Sequence, residues 1–303
     1  MRQAGPIEAA IEASLAAALD TAAAPGAPAR LVAALRHAVF PGGARVRPRL
    51  TLSVAAVCGG GRSPLAQAAA AAVELIHCAS LVHDDMPCFD DAPTRRGRAS
   101  VHAAFGERCA LLAGDALIVL AFQTLGAGAV AAGRPERLPD MLALLASNTG
   151  MPLGIVAGQG WECEDWVQLP DYHRAKTASL FACASQLGAI AAGAEARPWK
   201  ALGDWLGEAY QAADDLRDVA GDTSSLGKPT GRDLVLGRPN LVNEMGLAGA
   251  LEHFEKLVDR AATSVPDVAQ APMLRALLRA EAERLVPPEL RQRVGAVAHA
   301  AVA

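Results

Sequence analysis

The chain has 303 residues, a formal net charge of −4 and 52% hydrophobic residues. That length fits one large domain or two ordinary ones, the apolar content excludes disorder as the main state, and a pI near 6.0 leaves no basic stripe of the kind nucleic-acid binding needs. Aromatic residues are only 4% and alanine recurs throughout, so strong helix formers outweigh strand formers and the composition leans all-α. The cysteines, Cys58, Cys78, Cys88, Cys109, Cys163 and Cys183, form no C-x-x-C pair, which excludes zinc-ribbon and thioredoxin-like readings and fits a reducing cytoplasm.

Along the chain, Glu8, Glu12 and Asp20 interrupt any signal-peptide core at the N-terminus. Pro/Gly clusters at Pro25–Pro28, Pro41–Gly43, Gly59–Pro64, Gly150–Gly160 and Gly227–Gly231 read as turns between helices. Between them, apolar stretches of helical length run Ser63–Asp85, Ala103–Leu125, Leu138–Thr149, Asp171–Ala194 and Trp199–Val219, and Leu251–Ala303 is helical in pattern. Ser63-Pro64 reads as an N-cap followed by proline at the first helical position. Ala116–Gly133 and Thr177–Ala194 carry no charge. Helices apolar all round are membrane spans or the central helices of a large bundle; here the second reading is taken, because the first run is diluted by Gln123 and Thr124 and bounded by Asp115 and Arg134. No internal repeat suggests a solenoid. The expectation is one domain, residues 1–303, an all-α bundle of roughly ten or more helices around a central apolar cavity.

Two aspartate clusters follow apolar helices. The first is His83-Asp84-Asp85-Met86-Pro87-Cys88-Phe89-Asp90-Asp91. Pro87 stops the helix, which leaves Asp84 and Asp85 at a C-terminus, where the helix dipole disfavours negative charge. The second is Asp214-Asp215-Leu216-Arg217-Asp218, with Asp222 beyond. On a helix, Gln211, Asp214 or Asp215, Asp218 and Asp222 form an acidic stripe, whose like charges repel. A bound cation relieves both clusters, and carboxylate oxygens suit magnesium, which keeps waters and phosphates in its shell. A single Asp run is as readily a solvated turn; two, each behind an apolar helix, point to a site. Neither fits the alternating calcium loop of an EF-hand.

Basic residues lie between the acidic ones: Thr94-Arg95-Arg96-Gly97-Arg98, Gly42-Gly43-Ala44-Arg45-Val46-Arg47-Pro48, Lys176-Thr177 and Lys228. A lone cation is usually a surface charge, but alternation of acid clusters with arginine pairs suits metal-bridged diphosphates. His77, seven residues before Asp84, shares nearly the same helix face.

This pattern resembles the trans-isoprenyl diphosphate synthases. The motifs that carry the resemblance are D-D-x-x-x-x-D with R-R-G, the later D-D-x-x-D, Gly42-Gly43 with Arg45 and Arg47-Pro48, Glu74-Leu75-Ile76-His77, Gly114-Asp115, Lys176-Thr177, Tyr210-Gln211 and Leu226-Gly227-Lys228, in family order over most of the chain. The resemblance implies that Asp84, Asp85 and Asp90 hold magnesium from one helix end and Asp214, Asp215 and Asp218 from the facing helix. It implies that Arg95, Lys176 and Lys228 grip an allylic diphosphate, with Thr177 and Gln211 lining its site, and that Arg47, His77 and Arg96 bind isopentenyl diphosphate. It also implies a homodimer. Many members carry lysine where this chain has Ala44, so one phosphate contact is missing or is supplied by Arg45. The G-G-A-R form, with L-V-H-D-D and L-G-R-P-N, is similar to the geranylgeranyl diphosphate synthases of carotenoid pathways in photosynthetic bacteria.

The implied reaction is head-to-tail prenyl transfer, in which charge on the departing diphosphate is stabilised and the allylic cation is shielded from water. In short-chain relatives a bulky aromatic at the position of Ala79 closes the floor of the chain pocket; Ala79 and Ser80 are both small, which favours the twenty-carbon product over farnesyl diphosphate, unless Phe122 or Phe181 sets the floor. Competing readings are a farnesyl diphosphate synthase, a terpene cyclase, which would lack the second D-D-x-x-D and the R-R-G anchor, a silent partner subunit, which would lose one cluster, and a membrane protein.

Overall fold

The structure, a computed structural model, describes residues 5–164, 169–220, 241–286 and 291. Lys228, Asp222, the segment Gly227–Gly231, the Leu226-Gly227-Lys228 motif and the L-G-R-P-N run (residues 236–240) lie outside the described residues.

Helix α4 (Pro64–Asp84) is the axis of the molecule. Ser63 starts it, its Oγ accepting the Ala66 N–H at 3.2 Å, with Pro64 at the first helical position; such a cap contributes about 1 kcal/mol. From Leu65 to Val82 nearly every side chain of α4 is buried, and its many alanines let neighbouring helices approach closely. Around it pack α1 (Pro6–Ala22), α3 (Val46–Val57), α6 (Glu107–Ala131) and α10 (Ser179–Ala192). Helix α2 (Ala29–Val39) leans on α6, and α5 (Val101–Phe105) precedes α6. The stretch expected as one helix from Ala103 to Leu125 is thus two, broken at Gly106.

Helix α7 (Leu138–Thr149) spans the residues expected for it, whereas the Gly150–Gly160 turn is half helix: α8 runs Ile155–Gly160. The expected helix from Asp171 to Ala194 is α9 (Leu169–His173), a π-helical segment Arg174–Ala178, then α10. Helix α11 (Lys200–Ala220) packs between α10 and α12 (Leu241–Thr263), which kinks at Gly246, and α13 (Ala271–Leu285) follows. The only strands among the described residues are β1 (Thr94–Arg95) and β2 (Arg98–Ala99), an antiparallel pair.

Two apolar clusters fill the interior, one around α4 and one where α11, α12 and α13 meet; Trp205 and Tyr210 of α11 pack against both. Helices α4 and α6 are long and apolar enough to cross a membrane by length and composition, but the apolar window of α4 is 78% buried in protein and that of α6 39%. The uncharged run Thr177–Ala194 is buried almost throughout α10.

Candidate active site

The chain turns back tightly at the end of α4. Asp85 caps the helix, Asp90 N–H reaches the Asp84 carbonyl (3.0 Å) and Ala92 N–H the Asp85 carbonyl (3.1 Å). Asp84, Asp85 and Asp90 are thereby held on one helix end. Arg95 forks onto Asp85, its Nε donating to both carboxylate oxygens (2.9 and 3.1 Å), and its Nη2 lies 3.6 Å from Asp84. Asp85 is 2% exposed. Burial pushes its carboxyl above the usual range despite Arg95, and a divalent cation nearby would favour the charged form.

Arg95 and Arg96 are aimed by the β1–β2 hairpin. Its two-residue turn is Arg96-Gly97, both with positive φ (54° and 74°), the type I′ geometry that suits the twist of paired strands. Glycine adopts that conformation freely and arginine does so under strain, which gives the R-R-G sequence a backbone reason.

Lys176 faces this end from the π-helical segment. Its Nζ donates to Asp84 Oδ1 (3.2 Å) and to Glu162. Burial alone would lower its pKa, but Asp84, Tyr172 and Glu162 reverse that and hold it above the usual lysine value. Glu162 also accepts from the Tyr172 hydroxyl (2.5 Å) and from Gln159 Nε2 (3.0 Å). Gly158 packs against the Lys176 backbone, where a Cβ would collide; α8 can therefore sit directly on the segment that presents the ammonium. The wide π turn places Lys176 toward Asp84 and Thr177 toward α11, where Thr177 Oγ1 donates to Gln211 Oε1 (2.9 Å). Gln211 Nε2 donates in turn to Asp215 Oδ1 (2.9 Å), and Asp215 Oδ2 accepts the Leu241 N–H at 2.9 Å. Asp214 pairs with Arg217 one turn on, and Asp218 is buried. The two acidic clusters are thus linked by one polar chain through Lys176-Thr177.

Arg47 lies beneath this chain. Its guanidinium stacks over Phe181 (4.4 Å) and Tyr210 (5.7 Å). Its Nε is buried without a hydrogen-bond partner, and among the described residues no carboxylate pairs with it. Burial lowers its pKa. Nearby His77 is held well below the usual histidine value by burial and then by Arg47, Arg96 and Arg95, so it is a neutral donor–acceptor at neutral pH.

Arg45 is engaged within the protein. All its nitrogens are used inside the protein: Nε and Nη2 donate to Glu12 (2.8 and 3.2 Å), Nη1 to Glu74 (2.6 Å) and Nη2 to the Val39 carbonyl (2.8 Å). It ties α1, α3 and α4 together, with four of its five N–H groups committed to Glu12, Glu74 and the Val39 carbonyl, so most of the donor set expected for the phosphate contact in place of a lysine at Ala44 is already taken. Ala79 is fully buried in α4, while Ser80 is half-buried and bonds the His77 carbonyl (2.8 Å). Glu162, Tyr172, Tyr210 and Phe181 join the site, although nothing in the sequence marks them as residues that bind charge.

The donor set suits magnesium chemically. Its members are carboxylate oxygens, and an ammonium already occupies the place between Asp84 and Glu162. Among the described residues no three metal-ligating side chains form a cage, but magnesium is commonly held by one or two carboxylates plus phosphate oxygens and water. The residues present fit the ion.

A helical bundle with acid clusters and basic anchors joined at its helix ends is built to hold multiply charged anions beside an apolar interior. A family model, "Polyprenyl synthetase", matches residues 28–273. The chain is 51% identical over 284 residues to the geranylgeranyl diphosphate synthase of Cereibacter sphaeroides, covering 94% of this chain and 98% of that one. Among solved structures it is similar to an FPP/GFPP synthase from Zymomonas mobilis (TM-score 0.78, 30% identity, 91% of this chain and 97% of that one). It is also similar to a geranyltransferase from Helicobacter pylori complexed with magnesium and isoprenyl diphosphate (TM-score 0.71, 25% identity, 96% and 100%). The chain belongs to the polyprenyl synthetase family.

Proposed function

We propose that the protein is a trans-isoprenyl diphosphate synthase that condenses isopentenyl diphosphate with allylic diphosphates, dimethylallyl, geranyl and farnesyl, to give geranylgeranyl diphosphate. The observation that carries this reading is the meeting of Asp84 and Asp85 with Arg95 and Lys176, linked through Thr177 and Gln211 to Asp215. Asp84, Asp85 and Asp90 on one side, and Asp214, Asp215 and Asp218 on the other, would hold magnesium. When bound, magnesium neutralises the diphosphate and stabilises charge on it as it leaves.

The chain's own residues do the rest. Arg95 and Lys176, with Lys228, grip the allylic diphosphate; both described cations already sit on carboxylates and can exchange them for phosphate oxygens. Arg47, Arg96 and neutral His77 take the isopentenyl diphosphate. The orphaned, buried Nε of Arg47 supports this assignment, because a buried donor without a partner is costly unless a ligand satisfies it. Phe181, Tyr210 and the alanine-rich faces of α4 and α10 keep water from the allylic cation. The departing diphosphate, held by these cations, is the base that takes the final proton.

Small residues at Ala79 and Ser80 and the name of the Cereibacter relative support the twenty-carbon product, and the motif forms similar to carotenoid-pathway synthases support that use for it. We take residues 1–303 as one domain, since Trp205 and Tyr210 pack against both apolar clusters. We also propose a cytoplasmic homodimer. The cysteines are free, and α6 exposes Leu112, Val119 and Val130 along one face, an apolar stripe of the kind that marks an interface. The test of the enzyme reading is pyrophosphate release. It requires isopentenyl diphosphate, an allylic primer and magnesium together; release from a primer alone would favour a cyclase, and no release with any primer a silent subunit.

A further inference from the structure

The hairpin that carries Arg95 and Arg96 is poorly anchored by packing. Its strands have two residues each, no further strand joins them among the described residues, and Arg98 and Ala99 are exposed. A cavity lined by His37, Cys78, Asp85, Arg96, Arg98 and Val101 lies between it and the helices α2 and α4. What crosses that gap is polar. Arg98 Nη1 donates to the Phe40 carbonyl (2.7 Å), Arg98 Nη2 meets His37 Nδ1 (2.9 Å), and His37 Nε2 meets the Ala99 carbonyl (2.8 Å). A guanidinium has no acceptor and a carbonyl no proton. Nδ1 must therefore accept and Nε2 must donate, so His37 is the neutral Nε2–H tautomer. Phe105 packs edge-on to the ring (5.3 Å between centroids) and fixes its plane.

We propose that His37 is a positioning residue: through Arg98 and Ala99 it clasps the R-R-G hairpin onto the end of α2 and so sets where Arg95 and Arg96 stand. The same clasp fixes Phe40, three residues before Gly43, and the Arg96 guanidinium lies close against Gly43. The placement of Arg96 against Gly43 therefore depends on a histidine that touches no substrate. The role rests on the proposed diphosphate chemistry, but the clasp itself does not.

The test uses His37→Phe, which keeps the aromatic contact and removes both hydrogen bonds, His37→Gln, whose amide can both donate and accept, and Arg98→Ala. Amide exchange at the 94–99 hairpin and at Ser100, read without substrate, is expected to quicken about tenfold or more in H37F, the order of one or two lost hydrogen bonds. KM for both diphosphates is expected to rise about tenfold with kcat nearly unchanged and Tm only a few degrees lower, with H37Q restoring most of the loss; the H37F/R98A pair should lose less than the two single variants sum to, because both remove the Arg98–His37 bond. Hairpin exchange in H37F equal to wild type overturns the clasp, whether or not the wild type turns over. An active wild type whose H37F variant keeps its KM, or loses kcat instead, overturns the positioning role. An inactive wild type removes the proposed function and leaves exchange to decide the clasp.

Discussion

Arg47 gives the sharpest separation between what the site does for stability and what it does for function. Its guanidinium is buried, its Nε is orphaned, and among the described residues no carboxylate forms an ion pair with it, although Glu74 and Asp214 favour its charge from a distance. Holding a desolvated cation costs several kcal/mol, and an unmet buried donor about 1–3 kcal/mol. The stacking on Phe181 and Tyr210 returns about 0.5–2 kcal/mol for each ring. Arg47→Met keeps most of the volume and removes the charge. The ligand-free variant should therefore be more stable than wild type by about 1–3 kcal/mol, a balance of these terms. For a chain of this size that raises Tm by roughly 2–4 °C per kcal/mol. Thermal melts with and without magnesium and isopentenyl diphosphate give the second half of the test. Ligand at a hundredfold its Kd stabilises wild type by about 2.7 kcal/mol, and the variant should lose that increment together with turnover. An Arg47→Met protein that melts well below wild type, or that still turns over, would refute the reasoning and make Arg47 a packing residue.

Glu162→Gln removes the charge that holds Lys176 and Tyr172; kcat/KM for the allylic primer should fall about tenfold or more, the range for a loosened transition-state contact, and steady-state kinetics that show no change would place Glu162 outside the site. Burial and then Lys176 lower the pKa of His173 to about 4. Since the unfolded chain binds that proton first, the stability His173 contributes is complete above about pH 6.5 and is lost as pH falls toward 4, at about 1.4 kcal/mol per unit. Urea titrations across that window should show a shallower slope in His173→Gln, and an equal slope would contradict the assignment. Ala79→Phe should shorten the main product from twenty to fifteen carbons and destabilise the fold by about 1–3 kcal/mol through overpacking, as read by product chromatography and melting. Val119→Glu on the exposed face of α6 should turn a dimer into a monomer by sedimentation; an unchanged mass would remove that face from the interface.

Much of this architecture is legible in the residues. Ser63-Pro64 and Pro87 bracket α4 because a cap and a proline act locally, and α7 falls on the residues whose apolar spacing predicts it. The breaks are less visible. Gly106 divides α5 from α6, and the π turn at Arg174–Ala178 leaves the apolar pattern of Asp171–Ala194 uninterrupted, since one extra residue in a turn changes direction more than periodicity. The acidic clusters stand out because like charges in sequence need a reason. Glu162 does not, because an acid beside Glu164 and Asp165 after a glycine-rich turn looks like any surface carboxylate until Lys176 and Tyr172 are folded onto it. Arg45 misleads for the converse reason. It sits among phosphate-binding residues in sequence, yet Glu12 and Glu74 come from helices far along the chain, and only the tertiary structure shows that they claim it.

The most direct test of the central claim is the length of the product. Purified protein with labelled isopentenyl diphosphate and dimethylallyl, geranyl or farnesyl diphosphate, assayed with and without magnesium and read after dephosphorylation, should yield geranylgeraniol from every primer and only when magnesium is present. A product that stops at fifteen carbons would contradict the geranylgeranyl assignment and the reading of Ala79 and Ser80, and no elongation from any primer would contradict the synthase itself.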